Sequence, residues 1–481
     1  MNAQEEFRQV FGPAVSFDRQ IMDSYDHDAG EMPRALMSLV RRRPDMVVLA
    51  RSREDVARAL DLARKYGLPL TPRGQATSGY GGSIPARGGI VLDLCSFNAL
   101  LRLDVPNSWA DVEPGIVWEE LSRALAPHGL DNRVCPTSAP SSTVGGWFSM
   151  GGMGIGSFAY GSFLDNVLEI DVLAFDGTLH TLSGGDAALF YQTCGALGIV
   201  VRLRLACRAA GTPFTPAVSL PDASGVIRFL DLAGRDLPVY SACVQSAGYC
   251  ELRARAEGKA PPISSGFMVS LALLGAADGG SVAALASGCG GSLLDEAVGR
   301  ATWADRYYPM RLKKAGPSLL AGESVIPFDG FAGAWEDLRK TLGADGFGLE
   351  AHAVRGRRLA VLTYCLDNAR DFLYPLRLAK ALIPLRVAAR HGGGPYASGM
   401  WLAALARSLY GKEKYRRALA FKRRTDDGDL LNPGTLEGPR LPFTPFNLSR
   451  CLLAGARIAA PVAARLTCAN TRLDRRQEDR P

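Results

Sequence analysis

Hydrophobic positions near the start of the chain first form a short run and then a helical repeat. Residues 46–50 (MVVLA) predict a strand. Four apolar residues then recur on one helical face: Val56, Ala59, Leu60 and Ala63. Ser52 is the predicted N-cap of this helix, and Gly67 ends it before a second strand at 68–71. This α/β unit leads directly into a glycine-rich stretch at 72–82 (PRGQATSGYGG).

A second set of elements ends in another glycine-rich stretch. Residues 89–94 and 109–113 predict strands, and residues 117–125 predict a helix with an apolar side. The chain then enters 136–161 (PTSAPSSTVGGWFSMGGMGIGSFAYG). Three further strands are predicted after it, at 167–175, 178–182 and 199–205. Two glycine-rich stretches therefore each follow strand and helix elements.

The pattern changes near residues 211–216 (GTPFTP), where we expect a domain boundary. Mixed helices and strands follow to about residue 400, so the fold class is predicted as α+β. The predicted divisions are a helical segment at 1–43, a first domain at 44–212, a second domain at 213–400, a C-terminal segment at 401–445 and a tail at 446–481. The tail contains an apolar patch at 451–464.

Composition excludes several classes of protein. The chain has 481 residues, of which 47% are hydrophobic and 21% charged, as in globular proteins that can bury a large cofactor. The net charge of +7 is scattered along the chain, which disfavours nucleic-acid binding. The 10 cysteines include no Cys-x-x-Cys pair, and the N-terminus lacks an apolar signal region, so we expect a cytoplasmic location. No apolar run is long enough to predict a membrane span.

Both glycine-rich stretches suit the binding of a pyrophosphate, which needs several backbone amides at close range without an intervening Cβ. Arg73, Thr77 and Ser78 add charge and hydroxyl donors to the first stretch, and Ser141–Thr143 do so in the second. A single loop of this kind is equally consistent with a surface turn and with a cofactor site, whereas two such loops favour a cofactor site. Neither is a Rossmann G-x-G-x-x-G fingerprint, and no P-loop or HExxH motif occurs.

These motifs resemble those of flavin-linked oxidases and dehydrogenases of the vanillyl-alcohol oxidase type, particularly the glycolate oxidase and D-lactate dehydrogenase flavoprotein subunits. The two stretches resemble the pyrophosphate loops of that family. GALGIV (195–200) resembles its segment near adenosine, and LLNPG (430–434) resembles the motif that returns to the flavin domain. The resemblance implies a two-subdomain FAD-binding domain with an α+β cap domain.

The resemblance also implies which residues contact FAD. The expected contacts are Pro72, Arg73, Gly74, Gln75, Ala76, Thr77, Ser78, Gly79, Pro136, Thr137, Ser141, Ser142, Thr143, Gly145, Gly146, Gly151, Gly152, Tyr160, Gly161, Gly198, Ile199 and Asn432. Some relatives attach FAD covalently through a histidine in the first loop. Thr77 stands at that position here, and Cys135 is spaced differently from the cysteine that links flavin in other relatives. Noncovalent FAD is therefore expected.

The substrate side departs from the family pattern. Relatives that act on D-2-hydroxy acids often hold a divalent metal with two histidines and a glutamate, whereas here only His352 remains in the matching strand. We therefore expect no catalytic metal. The candidate catalytic residues are His391, Tyr396, Arg306 and His352, because an arginine suits a carboxylate and a histidine or tyrosine can accept a hydroxyl proton.

The leading hypothesis is an FAD-dependent dehydrogenase that oxidises a 2-hydroxy acid or a related alcohol. It would pass electrons to a separate acceptor such as an iron–sulfur subunit, which the apolar patch at 451–464 could dock. Such a partner could also hold the protein at a membrane surface. Two alternatives remain: a non-catalytic assembly or binding subunit with the same fold, and an oxidase that reduces O₂. Gly146→Val is expected to prevent FAD binding.

Overall fold

The computed structural model describes residues 2–40, 42–343, 346–440, 447–459 and 462. Within them, helices and strands are both abundant, which confirms the predicted α+β class. The described residues form two compact units. Unit 1 contains the chain up to Gly152, Phe163–Ala210 and Ala397–Leu452, and unit 2 contains Met153–Ser162, Gly211–Tyr396 and the described residues from Leu453 onward.

The elements follow one another in chain order. The strands are β1 (Val15–Ser16), β2 (Met46–Leu49), β3 (Leu70–Arg73), β4 (Ile90–Asp93), β5 (Leu100–Asp104), β6 (Trp109–Val112), β7 (Leu130–Asn132), β8 (Val167–Leu173), β9 (Leu179–Leu182), β10 (Ile199–Ala209), β11 (Ala217–Leu220), β12 (Val239–Ser246), β13 (Phe267–Leu273), β14 (Ser292–Leu293), β15 (Ser318–Pro327), β16 (Gly348–Val354), β17 (Arg358–Asp367) and β18 (Gly394–Pro395).

The α-helices are α1 (Ala3–Phe11), α2 (Arg19–Ser24), α3 (Arg34–Met37), α4 (Arg53–Tyr66), α5 (Trp118–Leu125), α6 (Val144–Met150), α7 (Ser157–Tyr160), α8 (Gly184–Phe190), α9 (Ala223–Asp236), α10 (Ala247–Glu257), α11 (Gly279–Gly288), α12 (Glu296–Ala304), α13 (Phe328–Leu342), α14 (Tyr374–Arg377), α15 (Ile383–Arg390) and α16 (Ala406–Thr425). Residues 448–459 are also helical. Short 3₁₀ turns occur at Gly12–Ala14, Ala126–His128, Leu164–Asn166, Pro309–Ala315, Leu378–Leu382 and Ala403–Leu405.

Unit 1 contains two sheets. In the first sheet, of order β1-β2-β4-β3, the strands β2, β4 and β3 are parallel. The helix α4 connects two of them, as the sequence predicts, and its apolar face is buried in the core. Ser52 Oγ accepts from the Asp55 amide, and Gly67 ends the helix in a left-handed conformation. The second sheet has the order β5-β6-β10-β8-β9, and β7 also pairs with β10.

The segment after α16 joins the edge of the parallel sheet. The Leu70 amide donates to Leu430 O at 2.8 Å, and the Asn432 amide donates to Leu70 O at 2.7 Å. A buried ion pair holds this segment: Lys422 Nζ lies 2.6 Å from Asp426 Oδ2. The carboxylate of Asp426 also accepts from the amides of Leu430 and Leu431, each at 2.8 Å. The LLNPG motif is thereby part of unit 1.

Unit 2 is built on one antiparallel sheet with the order β14-β11-β13-β12-β16-β17-β15-β18. Side chains alternate between its two faces, as the pleat requires. Alternate residues such as Val244, Ala351 and Val361 face an apolar core that includes residues of α9 and α13. The opposite positions of β12 and β16 carry polar side chains, and these form part of the candidate site described below.

The structure corrects two expectations about the chain's organisation. The stretch 136–161, interpreted from the sequence as a loop, contains the helices α6 and α7 despite its glycines. Residues 153–162 belong to unit 2, although the sequence analysis placed them inside a continuous domain at 44–212. The described part of the predicted N-terminal helical segment contains three short helices and a two-residue strand.

The predicted C-terminal patch at 451–464 lies only partly within the described residues, and the charged end of the tail lies outside them. Ala456 is buried in the core of unit 2, whereas Ile458 is 78% exposed. Among the described residues, no helix combines the length and the apolar character needed to cross a lipid bilayer.

Replacing Asp426 with alanine should destabilise unit 1 by about 1–3 kcal/mol, because it removes the nearest anionic partner of the buried Lys422 ammonium and the acceptor of the Leu430 and Leu431 amides. Lys422 keeps its contacts with Asp429 Oδ1 and Leu431 O. Asp427→Ala is the matched control, since Asp427 is exposed, and should change stability by less than about 0.5 kcal/mol. Urea unfolding of the two variants measures the difference. Equal stability of the two variants would contradict the role assigned to this ion pair.

Candidate functional site

The first glycine-rich loop follows β3 and presents backbone donors. Among the described residues, none accepts a hydrogen bond from the amides of Gln75, Ala76, Thr77 or Ser78. The carbonyl oxygens of Ala76 and Ser78 instead accept from the Ala29 amide at 3.2 and 3.1 Å. The outer side of the loop is therefore fixed by the N-terminal segment, while a row of N–H groups is left for a ligand.

A buried aspartate that the sequence analysis missed also fixes this loop. Asp28 accepts from the amides of Gly30 at 2.9 Å and Gly81 at 2.6 Å. Burial raises the pKa of Asp28, although these hydrogen bonds act in the opposite direction. Nothing in the sequence distinguishes Asp28 from the other acidic residues nearby, because its role depends on contacts made 53 residues further along the chain.

Arg73 is positioned by backbone oxygens. Its Nη1 donates to His27 O at 2.8 Å and makes longer contacts of 3.4 Å with the carbonyl oxygens of Tyr25 and Ser83. The guanidinium also lies 5.1 Å from the centre of the Tyr25 ring. Arg73 therefore holds the N-terminal segment against the loop, and its direct contact with a phosphate stays a prediction.

The second loop meets the first. A Cβ added at Gly74 would overlap with Oγ1 of Thr143, so the two loops touch at a place where only glycine fits. Thr143 also caps α6, because its Oγ1 accepts from the Gly146 amide at 3.2 Å. Ser142, only 5% exposed, has no hydrogen-bond partner for its Oγ among the described residues. A buried hydroxyl without a partner is unfavourable, so this group suits contact with a ligand.

The remaining predicted residues of the second stretch occupy three kinds of position. Pro136 and Thr137 precede α6, and the Pro136 carbonyl accepts from Ala139. Ser141 donates its amide to Ser138 O, and Gly145 packs against Pro114. Tyr160 and Gly161 belong to unit 2, where the Tyr160 ring lies 6.2 Å from that of Tyr240. The structure therefore assigns these last two residues to a different unit from the two loops.

Gly151 and Gly152 pack against a cluster of aromatic and polar residues. Gly151 has a φ of 76°, and a Cβ there would overlap with Gln192. The Gly152 amide donates to the hydroxyl of Tyr191 at 2.6 Å. Lys414 donates to Tyr191 O at 2.7 Å and lies 4.8 Å from the centre of the Tyr410 ring. This part of the stretch thus packs against other side chains of the protein.

Asn432 joins three distant parts of unit 1. Its Nδ2 donates to the carbonyl oxygens of Gly82 and Cys194, while its Oδ1 is buried without a partner among the described residues. Gly198 lies against Leu173, and Ile199 is buried in the core and paired with that residue. Asn432 therefore positions the end of the first loop beside the segment that follows α8.

The donors gathered in unit 1 fit a pyrophosphate-containing cofactor. The four amides of the first loop and the hydroxyl of Ser142 can all donate to phosphate oxygens. Gly74 permits the contact between the two loops. FAD satisfies this donor set because its pyrophosphate is rich in acceptors.

Unit 2 contains a separate small cavity, of about 30 Å³, which is roughly the room of two waters. Two of the predicted catalytic residues, Arg306 and His352, line it. The other two do not: His391 Nε2 lies 3.0 Å from Asp337 Oδ2, and the Tyr396 hydroxyl donates to Met153 O at 3.0 Å. The structure brings together Arg306 and His352 alone from the predicted set.

The cavity also has polar residues that the sequence analysis did not select. Cys243, Gln245 and Glu350 lie on β12 and β16 and share one sheet face with His352. Burial lowers the pKa of His352 and raises that of Cys243 well above its usual value, so burial favours the uncharged form of each side chain. The signal was present in the sequence as polar residues at every second position, Ser241-x-Cys243-x-Gln245 and Glu350-x-His352, within otherwise apolar strands.

Comparison with known proteins supports a flavin cofactor for the first unit. Residues 44–183 match the family model described as an FAD binding domain. This part of the chain is therefore similar to FAD binding domains. Both loops with unpartnered donors lie within the matched residues, in agreement with the donor set found by geometry.

Curated relatives are similar over part of the chain. The glycolate oxidase subunit of Bacillus subtilis is 30% identical over 211 residues, which are 41% of this chain and 43% of the relative. The D-2-hydroxyglutarate dehydrogenase of Pseudomonas putida is 38% identical over 168 residues, 34% of this chain and 16% of the relative. The aligned part thus spans less than half the length of these relatives.

The fold is shared more widely. A substrate-bound structure of p-cresol methylhydroxylase superposes with a TM-score of 0.74 at 18% identity and covers 91% of this chain and 96% of that one. This similarity confirms the predicted fold of the vanillyl-alcohol oxidase type.

Ser142→Ala should leave the stability of the cofactor-free protein unchanged or slightly higher, because it removes an unpartnered buried hydroxyl. FAD affinity should fall about 5- to 10-fold through loss of one hydrogen bond. Ser122→Ala is the control. It should lower the stability, because the Ser122 hydroxyl donates to Asp131 at 2.7 Å, and it should leave FAD affinity unchanged, because Ser122 lies outside both loops. Titration of apoprotein with FAD and thermal unfolding measure the two effects. Unchanged FAD affinity in Ser142→Ala would exclude this hydroxyl from the cofactor site.

Lys414 predicts a specific pH dependence of stability. Burial lowers its pKa to about 8, whereas an unfolded lysine has a pKa of about 10.4. Between these values the unfolded state binds more protons, so stability should rise with pH in this window. Lys414→Met should lack that rise, while the exposed control Lys412→Met should keep it. Urea unfolding from pH 7 to 10 measures both; the same slope in all three proteins would contradict the assignment.

Proposed function

We propose that this chain is an FAD-dependent dehydrogenase that oxidises a 2-hydroxy acid or a related alcohol. The observation that carries the proposal is the row of unpartnered amides in the first loop, within a matched FAD-binding domain. Bound FAD would supply the acceptor for the hydride that leaves the carbinol carbon. The named activities of the Bacillus and Pseudomonas relatives, on glycolate and D-2-hydroxyglutarate, support hydroxy acids as the substrate class.

The residues near the first loop favour noncovalent FAD. Thr77, at the position where some relatives carry a flavin-linking histidine, has a hydroxyl in place of a nucleophilic ring nitrogen. Cys135 is only 9% exposed. Acid denaturation should therefore separate the flavin from the polypeptide.

Arg306 is the proposed binding group for the substrate carboxylate. It lines the cavity, and its orientation is fixed because Nη1 donates to Trp303 O at 2.7 Å and Nη2 to the Tyr307 hydroxyl at 3.1 Å. Its guanidinium also lies 4.4 and 4.3 Å from the centres of these two rings. A fixed guanidinium suits a carboxylate because its remaining N–H groups can be oriented before the substrate arrives.

The proposed electron acceptor is a separate protein, such as an iron–sulfur subunit. The Bacillus relative is itself named as a subunit, which supports a multi-chain arrangement. No Cys-x-x-Cys pair occurs in this chain, so a cluster of that common type would have to be carried by a partner.

Anaerobic mixing of the FAD-loaded protein with a panel of 2-hydroxy acids and neutral alcohols tests this function. The flavin absorbance should bleach with at least one 2-hydroxy acid. Failure of every compound to reduce the flavin would favour the non-catalytic alternative. Rapid reoxidation by air after bleaching would favour an oxidase over a dehydrogenase.

Arg306→Met should raise the concentration of hydroxy acid needed for half-maximal bleaching by about 10- to 100-fold, because one charge-assisted contact is lost. Bleaching by a neutral alcohol should change little. Arg311→Met is the matched control: Arg311 pairs with Asp305 and Glu257 and does not line the cavity. Equal effects of the two variants on hydroxy acids would exclude Arg306 from substrate binding.

A further inference from the structure

Four polar side chains form a compact group on one face of the unit 2 sheet. β12 and β16 pair so that Cys243 is opposite His352 and Gln245 is opposite Glu350. Residues two apart on a strand share a face, and directly opposite residues have closely spaced Cβ atoms. The pairing therefore places all four side chains together, and all four line the cavity.

Glu350 is a buried carboxylate that lacks a cation. It is 6% exposed, and none of the described residues forms an ion pair with it. Its contacts are Gln245 Nε2 at 3.1 Å, the Tyr364 hydroxyl at 3.4 Å and Cys243 Sγ at 3.7 Å. Buried charges in proteins are normally paired or coordinate a metal, so we expect a cation to bind beside Glu350.

His352 provides a second, independent observation. It is 5% exposed, and neither of its ring nitrogens has a hydrogen-bond partner among the described residues. Two unpartnered nitrogens in a buried imidazole are unfavourable. The ring lines the same cavity as Glu350, next to the thiol of the opposite residue, Cys243.

We propose that Cys243, Glu350 and His352 form a binding site for one Zn²⁺ ion. One ligand atom from each residue lies within 4.8 Å of the other two. Tetrahedral zinc with one sulfur and one oxygen ligand holds those two atoms about 3.5 Å apart, close to the 3.7 Å between Cys243 Sγ and Glu350 Oε1. Small side-chain adjustments would complete the site.

The chemistry of the ligands selects the ion. A thiolate and an imidazole favour zinc over magnesium or calcium, which prefer oxygen ligands. Three protein ligands leave the fourth position for water or another small ligand, and the cavity of about 30 Å³ has room for it. Gln245 would orient Glu350 through its Nε2 donor. On binding, the thiol of Cys243 forms a bond to zinc and releases its proton to solvent.

This ligand set differs from the two histidines and one glutamate considered in the sequence analysis. No metal was expected there because the second histidine is missing from the matching strand. Cross-strand pairing instead places Cys243 opposite His352, and Glu350 lies two residues before His352 on the same face of β16. The inference rests on the ligand cluster alone, so it stands or falls separately from the proposed dehydrogenase activity.

The test is metal binding to the full-length protein after removal of metals by chelation. We expect one Zn²⁺ per chain by elemental analysis after dialysis, and a rise in the midpoint of thermal unfolding on adding Zn²⁺. Co²⁺ should give a thiolate-to-cobalt absorption band in the difference spectrum taken with and without Co²⁺. These readouts are independent of flavin reduction and of substrate.

Variants identify the ligands. Cys243→Ser should remove the thiolate band, and Cys243→Ser, Glu350→Gln and His352→Gln should each weaken Zn²⁺ binding at least about 10-fold. Cys365→Ala and His391→Gln are matched controls, because Cys365 lies in the apolar core and His391 contacts Asp337. Circular dichroism verifies that each variant is folded.

Three results would overturn the proposal: less than half an equivalent of bound Zn²⁺ in the wild type, a Co²⁺ spectrum without a thiolate band, or equal Zn²⁺ affinity in the ligand variants and the controls. Glutamine has nearly the same shape as glutamate, so Glu350→Gln is the ligand variant that should disturb the fold least. Its retention of full Zn²⁺ affinity would by itself remove Glu350 from the site.

Discussion

The hydrogen bonds between β3 and the segment that follows α16 close the first unit. Leu70 both donates to Leu430 and accepts from Asn432, so residues separated by more than 350 positions form one edge of the parallel sheet. The same asparagine fixes the carbonyl oxygens of Gly82 and Cys194. Because the first loop begins directly after β3, its geometry depends on this closure. A cofactor site built from three chain segments can exist only once all three are joined.

Local patterns in the sequence were sufficient for much of the fold. The strand at 46–50, the helix capped by Ser52 and the strand at 199–205 all rest on spacing within a few residues, and all are present in the structure. The helix α6 was missed because its glycines argue against helix formation on propensity alone. In the protein, the Thr143 cap and the burial of Trp147 and Phe148 stabilise it nonetheless.

Long-range contacts limited what could be said of the sites. The family resemblance located the loop residues. The contact of Asp28 with Gly81 and the membership of residues 153–162 in unit 2 could not be predicted, because no local sequence pattern indicates them. The group around Glu350 was missed for a related reason. Strand pairing determines which residues are opposite each other, and the pairing of β12 with β16 joins residues more than 100 positions apart.

The pairing of β12 with β16 also determines which mutations the sheet of unit 2 can tolerate. In the sheet of unit 2, one face of β12 and β16 packs into the core while the other carries the polar side chains that line the cavity. Deleting one residue from β12 would turn Cys243 and Gln245 towards the core and bring apolar side chains into the cavity. Exchanging single residues at alternate positions would leave the core intact. The sheet therefore permits new ligand chemistry by substitution, whereas insertions and deletions within these strands would be strongly selected against.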